Sequence, residues 1–264
     1  MRPLVKYHGG KGRLFKWIVP LLPEHSVYCE PFGGAASVLL NKSKADIEVY
    51  ADLEKTMVNL MQVVRDHLHF FKSKVEKIPY EKETYLRYKS LYFSEEFQSL
   101  SKMDQAVVTY VTKRMSRGGV CGTFSWSSRI YSTGPAEVHC WNSALGNLDL
   151  VHERLQDVII RCDEATTVIE EHDSADTLFY LDPPYIPSSR VSKNVYLCEM
   201  QEDDHKALAK ICNNIKGKVM ISGYPSDLYE ELYEGWRCEK KDAPNHSSHS
   251  KKKDRMTECI WLNF

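Results

Sequence analysis

The stretch TLFYLDPPYIPSS, residues 177–189, decides how this chain is read. Thr177 to Leu181 form a short apolar run of strand type, and two prolines follow it at once. Proline donates no backbone hydrogen bond, so the ladder must stop there. The Pro183 carbonyl is then free to face something other than a neighbouring strand. An acid (Asp182), a bare carbonyl and a flat ring (Tyr185) stand in succession at a strand end, the place where α/β proteins keep their ligands.

Strands and helices alternate on both sides of this point. Upstream, DVIIRC is a strand and TVIEEH a short helix. Downstream, DDHKALAKICNNI is a helix and KVMISGY a strand. SDLYEELY is a helix that Ser226 can cap, and WRCEKKD and RMTECIWLNF are two closing strands. Near the N-terminus, HSVYCEPFGGAASVLLNK is expected to form a strand, a glycine turn and a helix starting near Ala35. ADIEVYADL gives a second strand ending at Asp52. From Glu54 the apolar residues Met57, Leu60, Met61, Val64, Leu68, Phe71 and Val75 recur at three and four, the helical period. PYEKETYLRYKSLYF, DQAVVTYVTKRMS and LDLVHERLQ add further helices. Residues 116–143, rich in Gly, Ser and aromatics, are expected to form a long loop or irregular hairpin, a length that usually signals function or disorder. The expected class is α/β, with a mostly parallel sheet closed by an antiparallel hairpin and interrupted by a helical and loop insertion.

The 264 residues suffice for a sizeable core, with 42% apolar and 27% charged residues. The N-terminal apolar run is broken by Lys16, Pro20 and Pro23, so neither a signal peptide nor a membrane span is expected. Eight cysteines without a Cys-x-x-Cys pair point to a reduced, cytosolic chain. The spacings His67/His69 and His246/His249 occur in metal sites, but no acid or cysteine completes a ligand set and no metal is expected. Net charge is −1, which argues against a generic polyanion binder. Its distribution is uneven. Arg2, Lys6, Lys11, Arg13 and Lys16 stand in an acid-free start, and Lys113, Arg114, Arg117 and Arg129 in an acid-free stretch from Gln105 to Ala136. HSSHSKKKDRM follows near the end. These segments are either solvated loops or one basic face.

In CEPFGGA, Gly33 and Gly34 leave a strand and let a ligand approach the backbone, while Asp52 ends the next strand where an acid commonly accepts ribose hydroxyls. The full G-x-G-x-x-G is absent, as is the phosphate-loop pattern that HGGKGR loosely suggests. The word DPPY is more specific, since chance places it in roughly one chain per thousand of this length. Its chemistry suits an exocyclic amine. The Asp182 carboxylate and a carbonyl at Pro183 accept two N–H hydrogens, and Tyr185 covers the ring. Fixed acceptors favour the pyramidal nitrogen of the transition state.

Taken together, KYHGGKGRL, CEPFGGAASVLL, YADL and LDPPY resemble, in the same order, the motifs of the Dam family (D12 class) of DNA adenine-N6 methyltransferases, and the resemblance runs almost end to end. It implies a Rossmann-like S-adenosylmethionine-dependent methyltransferase with a mostly helical inserted target-recognition domain. The catalytic domain would comprise residues 1–55 and 145–264, and the recognition domain residues 56–144. S-adenosylmethionine is the implied methyl donor, with Tyr7, Lys11, Phe32, Gly33, Asp52, Asp163 and Asp182 at the family's contact positions. The implied partner is double-stranded DNA containing a specific adenine site, in the cytoplasm of a bacterial or phage-infected cell. Asp182, Pro183 and Tyr185 are the expected catalytic residues, and base flipping is required, because a paired amine is out of reach of a strand-end carboxylate.

The recognition insert departs from the family. Ser116 precedes Arg117 and Cys121 precedes Gly122 where the family shows asparagines, so the residues that read its target are not carried over. Lys113, Arg114, Arg117 and Arg129 are the DNA-binding candidates, for guanine or for phosphate. Related enzymes acting on cytosine tend to carry Ser-Pro-Pro-Tyr and those acting on glutamine Asn-Pro-Pro-Tyr, so Asp182 favours adenine. RNA adenine, DNA cytosine-N4 and an inactive DNA-binding relative are the alternatives.

Overall fold

Short apolar runs rich in β-branched and aromatic residues become strands, and the segments of period 3.6 become helices. The computed structural model describes residues 1–132, 134–186, 198–244 and 255–264. The first half of the chain runs through α1 (Phe15–Ile18), β1 (Val27–Glu30), β2 (Ile47–Ala51), α2 (Lys55–Val75), α3 (Lys82–Tyr92), α4 (Glu96–Ser99) and α5 (Lys102–Met115). Next come β3 (Ile130–Tyr131), β4 (Gly134–Pro135), α6 (Ala136–Leu145), α7 (Leu148–Leu155), β5 (Val158–Arg161) and α8 (Ala165–His172). The chain closes with β6 (Thr177–Leu181), α9 (Glu202–Cys212), β7 (Lys218–Gly223), α10 (Asp227–Leu232), β8 (Arg237–Pro244) and β9 (Arg255–Leu262). The main sheet has seven strands and is mostly parallel. Among the described residues, no helix is long and apolar enough to cross a membrane.

Two compact units partition the chain: residues 1–21, 34–43 and 54–162, and residues 22–33, 44–53 and 163–264. This division differs from the boundaries expected from sequence, because residues 1–21 and 145–162 make their contacts within the helical unit.

The second unit holds six strands of the sheet in the order β2-β1-β6-β7-β9-β8. β2, β1, β6 and β7 are parallel, whereas β9 pairs antiparallel with β7 and with β8. The register aligns Val49, Cys29, Phe179 and Val219 in one row across the four parallel strands. Every residue of β6 is buried, as expected of a central strand covered on both faces. The core around it joins Val168 and Ile169 of α8, Leu208 and Cys212 of α9, and Tyr229, Tyr233 and Trp261. The Ser226 hydroxyl accepts from the Tyr229 N–H at 3.2 Å, the cap anticipated for α10.

Strand order reverses at β1, which has β2 on one side and β6 on the other. In open α/β sheets the carboxyl ends of the strands at such a reversal flank the ligand crevice. Phe32 and Gly33 leave β1 there, and Asp182 leaves β6.

In the first unit, α5 is buried from Ala106 to Lys113 and packs against α2 and α3. The apolar stripe of α2 is buried as its spacing predicts. His67 interrupts this helix with non-helical backbone angles (φ −137°, ψ 34°). The cause lies in α7 and in Gln156 directly after it. The His152 ring donates to the Val64 carbonyl at 2.9 Å, and the Gln156 amide donates to the Arg65 carbonyl at 2.9 Å. Side chains inserted into the helical ladder kink it.

Two expectations about secondary structure are corrected. Residues 34–43 form successive turns rather than a helix from Ala35, because Gly34 and Ala36 both take positive φ (46° and 54°) and break the helical path. Residues 136–143, expected within the long loop, begin α6. Pro135 precedes its first turn, and Trp141 and Ala144 bury one side of it.

Gly33 shows a packing constraint that sequence spacing does not reveal. A Cβ at this position would lie 2.1 Å from the buried Tyr50 ring, while the Gly33 N–H donates to the Ala51 carbonyl at 2.8 Å. The absent side chain thus makes room for a ring of the protein itself. Gly33→Ala is expected to destabilise the fold by ~1–3 kcal/mol, the usual cost of overpacking. Equilibrium urea unfolding measures it, and an unchanged midpoint contradicts the packing argument.

Candidate active site and nucleic-acid interface

In the second unit the sheet's carboxyl edge presents the motif residues in strand order. Asp52 follows β2, Phe32 and Gly33 follow β1, and Asp182 follows β6. Asp52, Phe32 and Asp182 are half-buried, whereas Pro183 is buried. Asp163 stands half-buried two residues ahead of α8. Just below this edge, the buried Glu30 accepts from the Tyr28 hydroxyl at 2.7 Å, and the Tyr180 and Ser222 hydroxyls lie 2.9 Å apart.

Tyr185 is buried and held at two points. Its hydroxyl donates to Glu258 Oε2 on β9 at 2.8 Å, and its ring meets Tyr224 edge to face with centroids 4.6 Å apart. Burial, and then the charges of Glu258 and Asp182, keep its phenol well above the ordinary tyrosine pKa. Tyr185 is therefore a neutral donor, fixed in orientation. Sequence reading missed Glu258 and Tyr224. Glu258 is 73 residues from its partner, and no local pattern announces the contact.

In the first unit, Tyr7 and Lys113 converge on Glu54. The Tyr7 hydroxyl donates to Glu54 Oε2 at 2.9 Å, and the Lys113 ammonium lies 2.7 Å from Glu54 Oε1. Thr56 donates to the same oxygen at 2.8 Å. The Lys113 ammonium also stands 4.9 Å from the Tyr7 ring centroid, within cation–π reach. Burial opposes the charge on Lys113, but Glu54 and other neighbouring groups outweigh it and raise its pKa above the usual lysine value. Lys11 is buried too, and its ammonium donates to the Gly9 carbonyl at 3.0 Å.

These contacts correct the expected role of Lys113. With 5% of its surface exposed and its charge spent on Glu54, it is an interior residue and not a phosphate contact. Arg114 is half-buried, while Arg117 and Arg129 are exposed. In the same stretch of the chain, Trp126 (53% exposed), Tyr131 (43%) and Ile130 (77%) also reach solvent. Ile130 and Tyr131 form one strand of the β3–β4 hairpin. The insert thus presents cations beside aromatic and aliphatic side chains, a mixture suited to nucleic acid. The basic run of residues 245–254, with His246 and His249, lies outside the described residues. No cluster of metal-ligating side chains occurs among the described ones.

A mostly parallel sheet of seven strands whose order reverses at β1 is the fold of a Rossmann-like methyltransferase. The chain belongs to the D12 class of N6 adenine-specific DNA methyltransferases, whose family profile it matches over residues 7–253. It is similar over its whole length to the type II methyltransferase M.MjaIII of Methanocaldococcus jannaschii, with 24% identity covering 99% of that protein. It is also similar to the type II methyltransferase M1.LlaDCHI of Lactococcus lactis subsp. cremoris, with 26% identity, 100% of this chain and 96% of the relative. A DNA adenine methylase of Escherichia coli (strain K12) shares 26% identity over 88% of this chain and 84% of its own length. The chain is a DNA adenine methyltransferase.

Removing the cation of a buried pair leaves its carboxylate uncompensated. Lys113→Met is expected to cost ~3–5 kcal/mol, whereas Arg117→Met and Arg129→Met, at solvent, should stay within ~0.5 kcal/mol of the parent. Urea unfolding of the three variants compares them, and equal stabilities would contradict the interior assignment of Lys113.

Proposed function

We propose that this enzyme takes S-adenosylmethionine as its methyl donor and double-stranded DNA containing a specific adenine as its substrate. In this reading Asp182 and the Pro183 carbonyl hold the adenine's exocyclic amine. The observation that carries it is the position of Asp182, one residue beyond the central buried strand and at the edge where strand order reverses. The chemistry of the edge fits the donor. Asp52 supplies carboxylate acceptors for ribose hydroxyls and half-buried Phe32 an apolar surface, with Gly33 and Asp163 as further contacts of the second unit. Tyr7 and Lys11 are the contacts assigned in the first unit.

S-adenosylmethionine supplies an electrophilic methyl group on a sulfonium that departs as a neutral thioether. The adenine amine is a weak nucleophile, because its lone pair is delocalised into the ring. Asp182 and the Pro183 carbonyl accept its two N–H hydrogens and draw the nitrogen toward the pyramidal geometry of attack, so charge developing there meets a fixed carboxylate. Tyr185 enters as a ring whose orientation is already set by Glu258 and Tyr224, and its phenol stays protonated at any working pH. Turning the base out costs a few kcal/mol. Stacking on an aromatic ring returns ~1–3 kcal/mol, and phosphate contacts by Arg117 and Arg129 contribute the rest. Trp126, Ile130 and Tyr131 are the apolar part of the same DNA-facing insert.

Asp182→Ala is expected to abolish methyl transfer from labelled donor to duplex DNA while leaving the unfolding midpoint and most of the DNA affinity intact. Turnover at the parental rate refutes the assignment. Arg129→Ala is expected to weaken duplex binding about equally on all sequences and to reduce the salt slope by about one. Fluorescence anisotropy between 50 and 200 mM salt measures both, and an unchanged slope removes Arg129 from the phosphate contacts.

A further inference from the structure

We propose that Glu54 and Lys113 are positioning residues for the methyl donor, acting by locking the Tyr7 ring. The inference rests on the reading that Tyr7 contacts the donor. Glu54 and Lys113 were not among the residues that the motif order assigns to the donor, and Lys113 was expected at the DNA.

Three constraints hold the ring. Its hydroxyl is bonded to Glu54 at 2.9 Å, and the Lys113 ammonium stands 4.9 Å from its centroid. At its edge, Gly34 sits with φ +46°, and a Cβ there would lie 2.9 Å from Tyr7 Cε1. The preceding residue is fastened as well. The Lys6 carbonyl lies 2.0 Å from where a Gly119 Cβ would be, and the Lys6 ammonium donates to Ser125 Oγ at 3.0 Å. Despite this anchoring Tyr7 is only half-buried. An aromatic kept for packing alone is normally enclosed, and a solvated one is not tied down by a buried ion pair. A ring that is both rigid and partly open suits a surface on which a ligand rests.

The energetics point the same way. Burying two charges is expensive, and well-packed apolar residues of similar volume are often as stable or more so. Stability alone therefore gives little reason to keep Glu54 and Lys113 charged inside the helical unit. Their retained charge has a use in geometry: a carboxylate holding two hydroxyls and an ammonium fixes the ring's tilt more tightly than an apolar contact can.

The test is the affinity for S-adenosylmethionine by isothermal titration calorimetry, with urea unfolding as a control. Tyr7→Phe removes only the hydroxyl, and Glu54→Gln only the charge. Each is expected to weaken donor binding roughly three- to tenfold, within the worth of one charge-assisted hydrogen bond. The double variant Tyr7→Phe/Glu54→Gln should bind no more weakly than the poorer single, because both act through one contact. If the two effects multiply, or if Tyr7→Phe and Glu54→Gln bind within twofold of the parent while Tyr7→Ala loses the donor, the locking role is overturned and Tyr7 keeps its contact role. Parental affinity in Tyr7→Ala would instead remove Tyr7 from the donor site, and this inference with it. Should Glu54→Gln fail to fold, Tyr7→Phe decides alone: affinity within twofold of the parent refutes the lock, and the expected loss supports it.

Discussion

The arrangement of the second unit depends on one strand that is forbidden to continue. β6 is buried on both faces between β1 and β7, so its five residues can be nothing but apolar or internally paired. Two prolines then remove the donors that a longer ladder would need. The first polar residue after the strand therefore emerges at the sheet's carboxyl edge, and that residue is Asp182. Because strand order reverses at the adjacent β1, the same edge carries the Phe32–Gly33 turn. A carboxylate could be displayed on any loop. Here its backbone is fixed by a strand buried along its whole length, which gives the precision that the role proposed for Asp182 demands.

Polar groups inside each unit follow a common pattern. Tyr28 with Glu30, Tyr180 with Ser222, and Tyr185 with Glu258 lie at or just beneath the carboxyl edge of the second unit. Tyr7, Thr56 and Lys113 gather on Glu54 in the first. Each contact costs desolvation that an apolar core would avoid. Such departures from simple hydrophobic packing are expected where orientation matters more than stability. Tyr185 illustrates the return. Its hydroxyl is held by a carboxylate, and burial, reinforced by the charges of Glu258 and Asp182, keeps it protonated, so neither its charge nor its angle changes across the working pH range.

Much of the architecture was legible because it is written in periodicity. The α2 stripe, the β6 run and the closing hairpin are local patterns, and Asp182 could be placed because proline's missing N–H has a local consequence. The misreadings share another physical origin. The turn at residues 34–43 depends on positive φ at Gly34 and Ala36, which no apolar period encodes. The role of Gly33 depends on a ring 17 positions along the chain, and that of Tyr185 on an acid far beyond it. Lys113 looked like a DNA contact because charge in a sequence carries no sign of its direction. Only the fold shows that α5 turns it toward Glu54.

That last point bears on how a nearly neutral chain can engage a polyanion. Counting cations in the sequence suggested basic segments at the start and in the insert. Three of the lysines concerned, Lys6, Lys11 and Lys113, are directed into contacts within the helical unit, whereas Arg117 and Arg129 face solvent. Lys16 of the first segment is exposed as well, and Arg114 of the insert is half-buried. An ammonium is a compact charge that a buried carboxylate or carbonyl can satisfy, and a guanidinium presents a planar fork suited to phosphate and guanine. Between residues 116 and 132, Arg117 and Arg129 are exposed together with the large apolar side chains of Val120, Trp126, Ile130 and Tyr131. In the proposed DNA-facing role, the apolar side chains of Trp126, Ile130 and Tyr131 act only at contact, where they need surfaces to cover. A protein built in that way gains less from any stretch of DNA than from one whose bases can be parted, which is what access to a paired adenine amine requires.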